Sequence, residues 1–437
     1  MRAPSHRQTG KATALSRPCC GMATCGLPAV GPPGEPDGRA QARLRRLVCW
    51  VAQGPGVSAL GVDPLRIGMV LYPSLGGSST VAIELSRFLV RRGHAVHLVS
   101  TGEPFALSRL NEGEAGRMVH HRVEVPSYPL FAHAPYDLAM ATKIAEVATA
   151  ERLDVIHVHY AVPHAAAAVL ARELAAPVRP SVVTTLHGTD VTLTGADPAL
   201  RPAVANSLRR SDAVTAVSEY LRGRALATFG LEQVVVIPDF VEMRHIAPAV
   251  RARMRAALAP AGEAVLMHAS NFRPVKNVLD VAEVFIRVAR RMPAVLSLCG
   301  DGPDAGACLS RLAEAGLADR VRFLGARRDL APVLAAADLF LLPTSGEGFG
   351  LAALEAMAAG VPVLGTVAGG LPEVVEDGVS GCLLPVHAVD AMADAAVGML
   401  HPDRHRAMSE AARRRASRFS PGSVVGRYED LYRSLRA

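Results

Sequence analysis

Lysine is almost absent from this chain. Of 47 basic residues only Lys11, Lys143 and Lys276 are lysine, so the C-terminal half holds a single ammonium among its guanidinium groups. Chance leaves a few lysines in any sequence, but arginine used nearly everywhere else makes Lys276 a pointer to a place that wants a compact cation. No run of about 18 apolar residues occurs, which argues against a membrane-spanning helix. The seven cysteines are odd in number and lack a repeated spacing, a pattern that suits a reducing compartment rather than a disulfide framework. Cys19, Cys20 and Cys25 cluster without a second ligand pair, so no zinc site is expected there. Neither H-E-x-x-H nor Asp-x-Asp appears, and no metal site is expected elsewhere. The net charge of +7 raises nucleic acid as a partner, but residues 1–64 hold eight Lys or Arg against three acids, +5 of that +7. The rest of the chain is only +2, and a nucleic-acid surface is not expected.

At 437 residues the chain exceeds one core and suits two domains plus a tail. Residues 1–64 are rich in Gly, Pro, Ala and Arg, with neither a periodic apolar face nor a signal-like apolar core; a disordered basic tail is expected. Its lack of acids before Glu35 also fits an organellar transit peptide, although a start codon assigned too far upstream explains it more simply. The body opens at Leu65. A buried strand is predicted over 65–72, a glycine turn over 73–79, a helix over 80–92 stopped by Gly93, and a strand over 96–100. This βαβ opening indicates a Rossmann-like domain, but Gly76-Gly77 is not the dinucleotide fingerprint and NAD is not expected. A stretch punctuated by Pro126, Pro129 and Pro135 follows, then a helix over 136–151 and strands over 154–160, 181–187, 213–218 and 234–238. The domain closes near Phe240. A second α/β unit has strands over 265–268, 295–299, 321–324, 339–342, 362–365 and 382–384, then helices over 403–418 and 421–436.

The chain is organised around Leu339 to Pro362. A short apolar run breaks into a glycine-spaced loop, Thr344 to Gly350, and the apolar spacing turns helical from Leu351. Strand, glycine loop and helix is the unit that offers backbone N–H groups and the positive end of a helix dipole to a phosphate. Glu347 and Glu355 sit inside it and would repel that anion, so they need another duty. Carboxylates accept hydrogen bonds from vicinal hydroxyls, and a phosphate flanked by two polyols is a nucleotide sugar. The blander reading makes Glu347 a cap and Glu355 a solvated charge. Arg273 and Lys276, at a strand end of the second unit, supply cations for a leaving diphosphate. His157 and His159 share a strand face, with His164 and His187 near the same sheet edge. Without a metal motif they read as hydrogen-bonded polar groups rather than ligands.

Six segments then occur in order: 72–78 (YPSLGGS), 157–164 (HVHYAVPH), 184–190 (TTLHGTD), 270–276 (SNFRPVK), 300–303 (GDGP) and the Glu347-x7-Glu355 stretch. Over about residues 65–437 this set resembles the family 4 glycosyltransferases. Within them it is similar to the branch that moves N-acetylglucosamine from UDP to L-malate at the start of bacillithiol biosynthesis. The resemblance implies an α/β GT-B fold, with two Rossmann-like doubly wound domains facing a central cleft. Residues 65–240 would form the acceptor domain and 241–420 the UDP-sugar domain, with a terminal helix, 421–437, crossing back onto the first. It implies a retaining, metal-independent, cytoplasmic enzyme without stable membrane insertion, whose partners are the two small-molecule substrates UDP-N-acetylglucosamine and L-malate, self-association being left open. Arg273, Lys276, Glu347 and His187 would be catalytic. Gly77, Asn271, Gly302, Phe349, Gly350, Leu351 and Glu355 would bind the donor, and Gly76, Ser78, Tyr160, Thr185 and Arg201 the acceptor. One position departs: the family often carries an arginine where Ala205 stands, with Arg201 and Arg209 nearby. A different family 4 enzyme with a sugar, inositol or lipid acceptor, a UDP-sugar 2-epimerase and a non-enzymatic sugar-nucleotide sensor are the rival readings. A chain starting near Val62 is expected to keep normal turnover and thermal stability; a large loss of either would show that the tail contributes to the fold or the site.

Overall fold

Short apolar runs, too brief for helices and bounded by glycine and polar residues, fold as parallel strands in two sheets. A computed structural model of the chain describes residues 63–436 apart from 75, 105–106, 108–116 and 131. The expected tail therefore lies, except for Asp63 and Pro64, outside the described residues. The first sheet contains β1 (Arg66–Val70), β2 (Ala95–Ser100), β3 (Met118–Arg122), β4 (Val155–His159), β5 (Ser181–Leu186), β6 (Ala213–Ala216) and β7 (Val235–Val236). Its order is β3-β2-β1-β4-β5-β6-β7. The second contains β8 (Ala264–Ser270), β9 (Ala294–Gly300), β10 (Val321–Gly325), β11 (Leu339–Leu342), β12 (Val363–Thr366) and β13 (Gly381–Leu384), in the order β10-β9-β8-β11-β12-β13.

Both orders reverse direction beside the first strand of the sheet, between β1 and β4 and between β8 and β11. In doubly wound sheets the crevice for ligands opens at that reversal, above the carboxyl ends of the strands. The loops leaving β1, β4, β8 and β11 carry Gly76-Gly77, Tyr160, Arg273 to Lys276, and Glu347. The topology thus gathers the sequence motifs at two switch points.

Two elements differ from the sequence reading. The strand Met118–Arg122 was not anticipated, because its Met-Val-His-His-Arg sequence has no apolar run; it is an edge strand, paired in parallel with β2 and only partly covered. The first helix runs Gly77–Arg91, three residues earlier than predicted. Gly77 and Ser78 are therefore helical residues rather than turn residues, and their N–H groups lie in the first turn, where no intrahelical partner exists.

The helix Pro421–Ser434 returns to the first sheet. Its Tyr428 and Tyr432 are fully buried, with ring centres 5.4 and 5.7 Å from His157. The Tyr432 hydroxyl bonds His157 Nδ1 at 2.7 Å. Glu429, also buried, bonds His94 Nε2 at 2.8 Å and pairs with Arg92 at 2.7 Å. Because His94 Nδ1 accepts from Leu65 N–H at 3.0 Å, its Nε2–H must donate to Glu429. Among the described residues no helix is long and apolar enough to cross a membrane. Burial opposes the Glu429 charge, but the bonds from His94 and Arg92 outweigh it and hold the carboxyl below its usual 4.5. Its stabilisation is therefore complete above about pH 4.5 and lost as pH falls through the lowered folded value. Glu429→Gln is expected to cost about 1–3 kcal/mol near neutrality, with the two melting curves converging on acidification. A constant gap between them down to the acid limb would remove Glu429 from this role.

Candidate active site

The carboxyl ends of the two sheets meet through backbone. A Cβ added to Gly348, in the loop after β11, would run into the His187 carbonyl oxygen of the loop after β5. One added to Gly188 would lie 3.5 Å from Gly348 Cα. The Ser218 hydroxyl donates to Gly348 O at 2.5 Å. Nearby, the N–H groups of Glu219 and Tyr220 both donate at 2.8 Å to the Glu373 carboxylate, which therefore caps the first turn of the helix Glu219–Phe229 from the opposite domain. Gly77 faces Leu351 across the same junction, 3.9 Å from an added Cβ.

On the second-domain side, the loop after β8 is laced to the loop after β11. Val275 O accepts from Thr344 Oγ1 and Ser345 N, both at 2.9 Å, and Asn277 Nδ2 donates to Pro343 O at 2.8 Å. This lacing sets Lys276 Nζ 2.5 Å from Glu347 Oε1. The two side chains are 19 % and 12 % exposed, so the pair is largely withdrawn from solvent screening. Arg273 stands exposed beside it. With the Asn271 amide oxygen turned toward the guanidinium, that oxygen accepts from Arg273 Nε and Nη2 at 3.0 and 3.1 Å. Gly302 has φ +157° and packs so tightly beneath Asn271 O that a Cβ has no room. Gly350, at φ +105°, is the N-cap of the helix Leu351–Ala358 and supplies no side chain to its free N–H groups. Leu351 and Glu355 of that helix line a cavity of about 590 Å³, shared with Thr80, Glu84 and Arg244. Phe349, by contrast, does not present its ring to the cleft: it is 3 % exposed and meets Phe419 edge-on at 5.5 Å. Its side chain anchors the loop in the core, leaving only its backbone for a ligand.

On the first-domain side, Gly76 is the N-cap of the Gly77–Arg91 helix and again gives no side-chain cap. Tyr160 has φ +82° and bonds Thr189 Oγ1 through its hydroxyl at 2.6 Å. Its ring meets Tyr72 edge-on at 5.6 Å. Asp190, fully buried, holds the His187–Gly188 turn by accepting from both of their N–H groups and from Ala161 N–H. Burial raises the Asp190 pKa, and these backbone bonds work against that rise. The assignment of Thr185 to the cleft is corrected. Thr185 is 0 % exposed, and its hydroxyl lies 2.6 Å from both His157 Nε2 and Thr215 Oγ1, inside the core. Arg201 is exposed at the start of the half-buried helix Arg201–Arg210, and among the described residues no hydrogen bond links it to Tyr160 or His187. Ala205 is buried on that helix.

The histidines pair through their rings. His159 Nδ1 and His187 Nε2 are 2.9 Å apart, and His164 bridges His159 O and the Tyr136 hydroxyl at 3.1 Å each. Burial keeps all of them neutral: it pushes His157 and His187 down to about 3, His164 to about 4, and His159 well below the usual histidine value. His187 is half-buried at the end of β5. Asp190, Ser218 and Glu373 were not singled out by the sequence. Asp190 closes a quoted motif, but nothing in spacing alone reveals a cross-domain cap.

Comparison with known proteins identifies this two-domain arrangement. A Glycosyltransferase Family 4 profile matches residues 75–245, and a Glycosyl transferases group 1 profile matches residues 263–401. The N-acetyl-alpha-D-glucosaminyl L-malate synthase of Bacillus anthracis is 40 % identical over 372 residues, covering 84 % of this chain and 96 % of that protein. The chain belongs to the family 4 glycosyltransferases. A D-inositol 3-phosphate glycosyltransferase of Saccharomonospora viridis is 35 % identical over 211 residues, 45 % of this glycosyltransferase and 49 % of its own length. Among solved structures, Anabaena Alr3699/HepE in complex with UDP-glucose superposes with a TM-score of 0.72 at 21 % identity, covering 85 % of this chain and all of that one. A glycosyltransferase from Rickettsia africae gives 0.71 at 18 % identity, covering 86 % of this chain and 99 % of that one. These two likenesses establish the GT-B fold. In this glycosyltransferase the Gly348 contact brings the two domains' backbones together at the cleft. Gly348→Ala is expected to lower glycosyl transfer about 100-fold, because forcing the backbones apart misplaces groups on both sides. Small-angle scattering should show a more open protein; an active variant with an unchanged profile would refute the contact's importance.

Proposed function

We propose that this glycosyltransferase moves N-acetylglucosamine from UDP-N-acetylglucosamine to the hydroxyl of L-malate with retention, the step that opens bacillithiol biosynthesis. The breadth of the likeness to the Bacillus anthracis enzyme supports the substrates. The geometric observation that carries the chemistry is the shielded Lys276–Glu347 pair, 2.5 Å apart at the domain junction. An ammonium has three donors. One can stay on Glu347 while another meets the diphosphate, and the second Glu347 oxygen remains for a sugar hydroxyl. Arg273, braced by Asn271, adds positive charge to the departing UDP, and N–H groups at Gly350 and Leu351 add a helix terminus. Glu355, in the adjoining cavity, takes the ribose hydroxyls.

The bond from the anomeric carbon to the β-phosphate oxygen breaks, and the malate oxygen bonds the same carbon on the same face. The hydroxyl proton passes to the departing β-phosphate. His187 remains neutral and is not needed as that base. The acceptor side is formed by Tyr160 and by the first-turn N–H groups at Gly77 and Ser78, which suit a carboxylate. Arg201, exposed at the head of its helix, is the cation proposed for malate's other carboxylate. The reading takes a cytoplasmic enzyme in which protein cations meet the leaving group, so activity is expected to survive EDTA.

L-malate is expected to accelerate UDP release well above the rate with water, while succinate, which keeps both charges but lacks the nucleophile, does not. Lys276→Ala is expected to lower kcat about 10²–10³-fold without unfolding the protein. Product mass spectrometry decides the acceptor. A glycoside formed from inositol or another sugar but not from L-malate leaves only the donor half of the reading.

A further inference from the structure

We infer that His159 is a positioning residue that locks His187 in a single tautomer, with His187 Nδ1–H offered to the substrates as a hydrogen-bond donor. The inference rests on the reading of His187 as a substrate-facing group. Two ring nitrogens 2.9 Å apart, His159 Nδ1 and His187 Nε2, bond only if one carries the proton and the other is bare. Both rings are neutral through burial, so each has one ring proton. Two arrangements satisfy this. If His187 Nε2–H donates, His159 Nδ1 is bare and the His159 proton sits on Nε2. If His159 Nδ1–H donates, His159 Nε2 is bare and the His187 proton sits on Nδ1.

His159 Nε2 decides between them. The residue is 1 % exposed, and among the described residues no hydrogen-bond partner reaches that atom. A buried N–H without a partner is rarer than an under-used acceptor. Only the second arrangement avoids one. Turning the His159 ring over would place carbon against His187 Nε2 and lose the bond altogether. The neighbouring His164 shows the same tautomer independently. Its Nδ1 faces the His159 carbonyl at 3.1 Å and must carry a proton, while its Nε2 accepts from the Tyr136 hydroxyl at 3.1 Å.

The consequence is a direction for the chemistry. His187 gives a proton in a hydrogen bond, to a sugar or acceptor oxygen, and has no lone pair free to remove one. That leaves the diphosphate to accept the malate proton. The inference adds the donor sense of His187 and the buried residue that enforces it.

The test uses the full-length protein labelled with nitrogen-15 histidine, with His187 assigned by the signals missing from His187→Gln. Long-range proton–nitrogen correlation at neutral pH is expected to show His187 Nδ1 protonated and Nε2 bare; the opposite pattern overturns the inference. His159→Leu is expected to lower kcat about tenfold while UDP affinity by calorimetry and the melting temperature stay near wild type. His159→Asn, whose amide can donate from nearly the place of Nδ1, should recover most of that loss. Wild-type turnover in His159→Leu, or no recovery in a folded His159→Asn, would overturn the positioning role. The tautomer spectrum needs no acceptor. If L-malate is not glycosylated but the Nδ1–H pattern is found, the acceptor reading fails and the His159–His187 pair stands.

Discussion

The constraint on which this molecule depends is the contact of two backbones that carry no side chains. Gly188 and Gly348 come from different domains; Gly348 has no room for a Cβ, and Gly188 sits at φ +149°, a backbone conformation that favours glycine. That approach lets Ser218 reach the Gly348 carbonyl and Glu373 reach the helix Glu219–Phe229. It also brings the free N–H groups of Gly77–Arg91 to the helix that carries Leu351 and Glu355. Each domain supplies one helix terminus and one set of side chains, so the chemistry exists only where the two are apposed.

The charge distribution around this junction is sparse and segregated. The second domain brings Arg273, Lys276, Glu347 and Glu355. The facing first-domain groups near the strand ends are mostly neutral, buried histidines, tyrosine hydroxyls and backbone, with the Asp190 carboxyl held beneath the His187–Gly188 turn by backbone N–H groups. In the proposed reaction the leaving diphosphate meets Arg273 and Lys276 of the second domain, while the first domain's proposed cation, Arg201, is kept for the acceptor's carboxylate. The near-absence of lysine elsewhere takes on meaning here. An ammonium can share its three donors between Glu347 and an anion, whereas a guanidinium has its donors fixed in a plane.

Much of this was legible in the sequence, and the reasons are local. Short buried strands followed by glycine-spaced loops are visible as pattern, and doubly wound sheets put such loops at the same edge, so Arg273, Lys276, Glu347, Glu355 and His187 fell in one region. The misses come from orientation. Thr185 and His187 are two residues apart on a strand and its end, yet Thr185 turns into the His157 network and His187 reaches the cleft. Phe349 adjoins a phosphate-type loop but spends its ring on Phe419. The Met118–Arg122 strand lacks the apolar run that marks the others, because it closes a sheet edge. Cross-domain partners such as Ser218 and Gly348 lie 130 residues apart, and no periodicity encodes their meeting.

The return of the last helix to the first sheet imposes an order on synthesis. His157 and Glu429's partner His94 belong to the first domain, while Tyr428, Glu429 and Tyr432 leave the ribosome only after every strand of the second sheet. At about 5–20 residues per second, the nascent first domain waits many seconds with a buried-to-be face uncovered. The strands of the second sheet, from Ala264 to Leu384, are all made within that interval. The chain therefore finishes its first domain late: the face of the first sheet around His157 gains its cover only after the strands of the second sheet have been made.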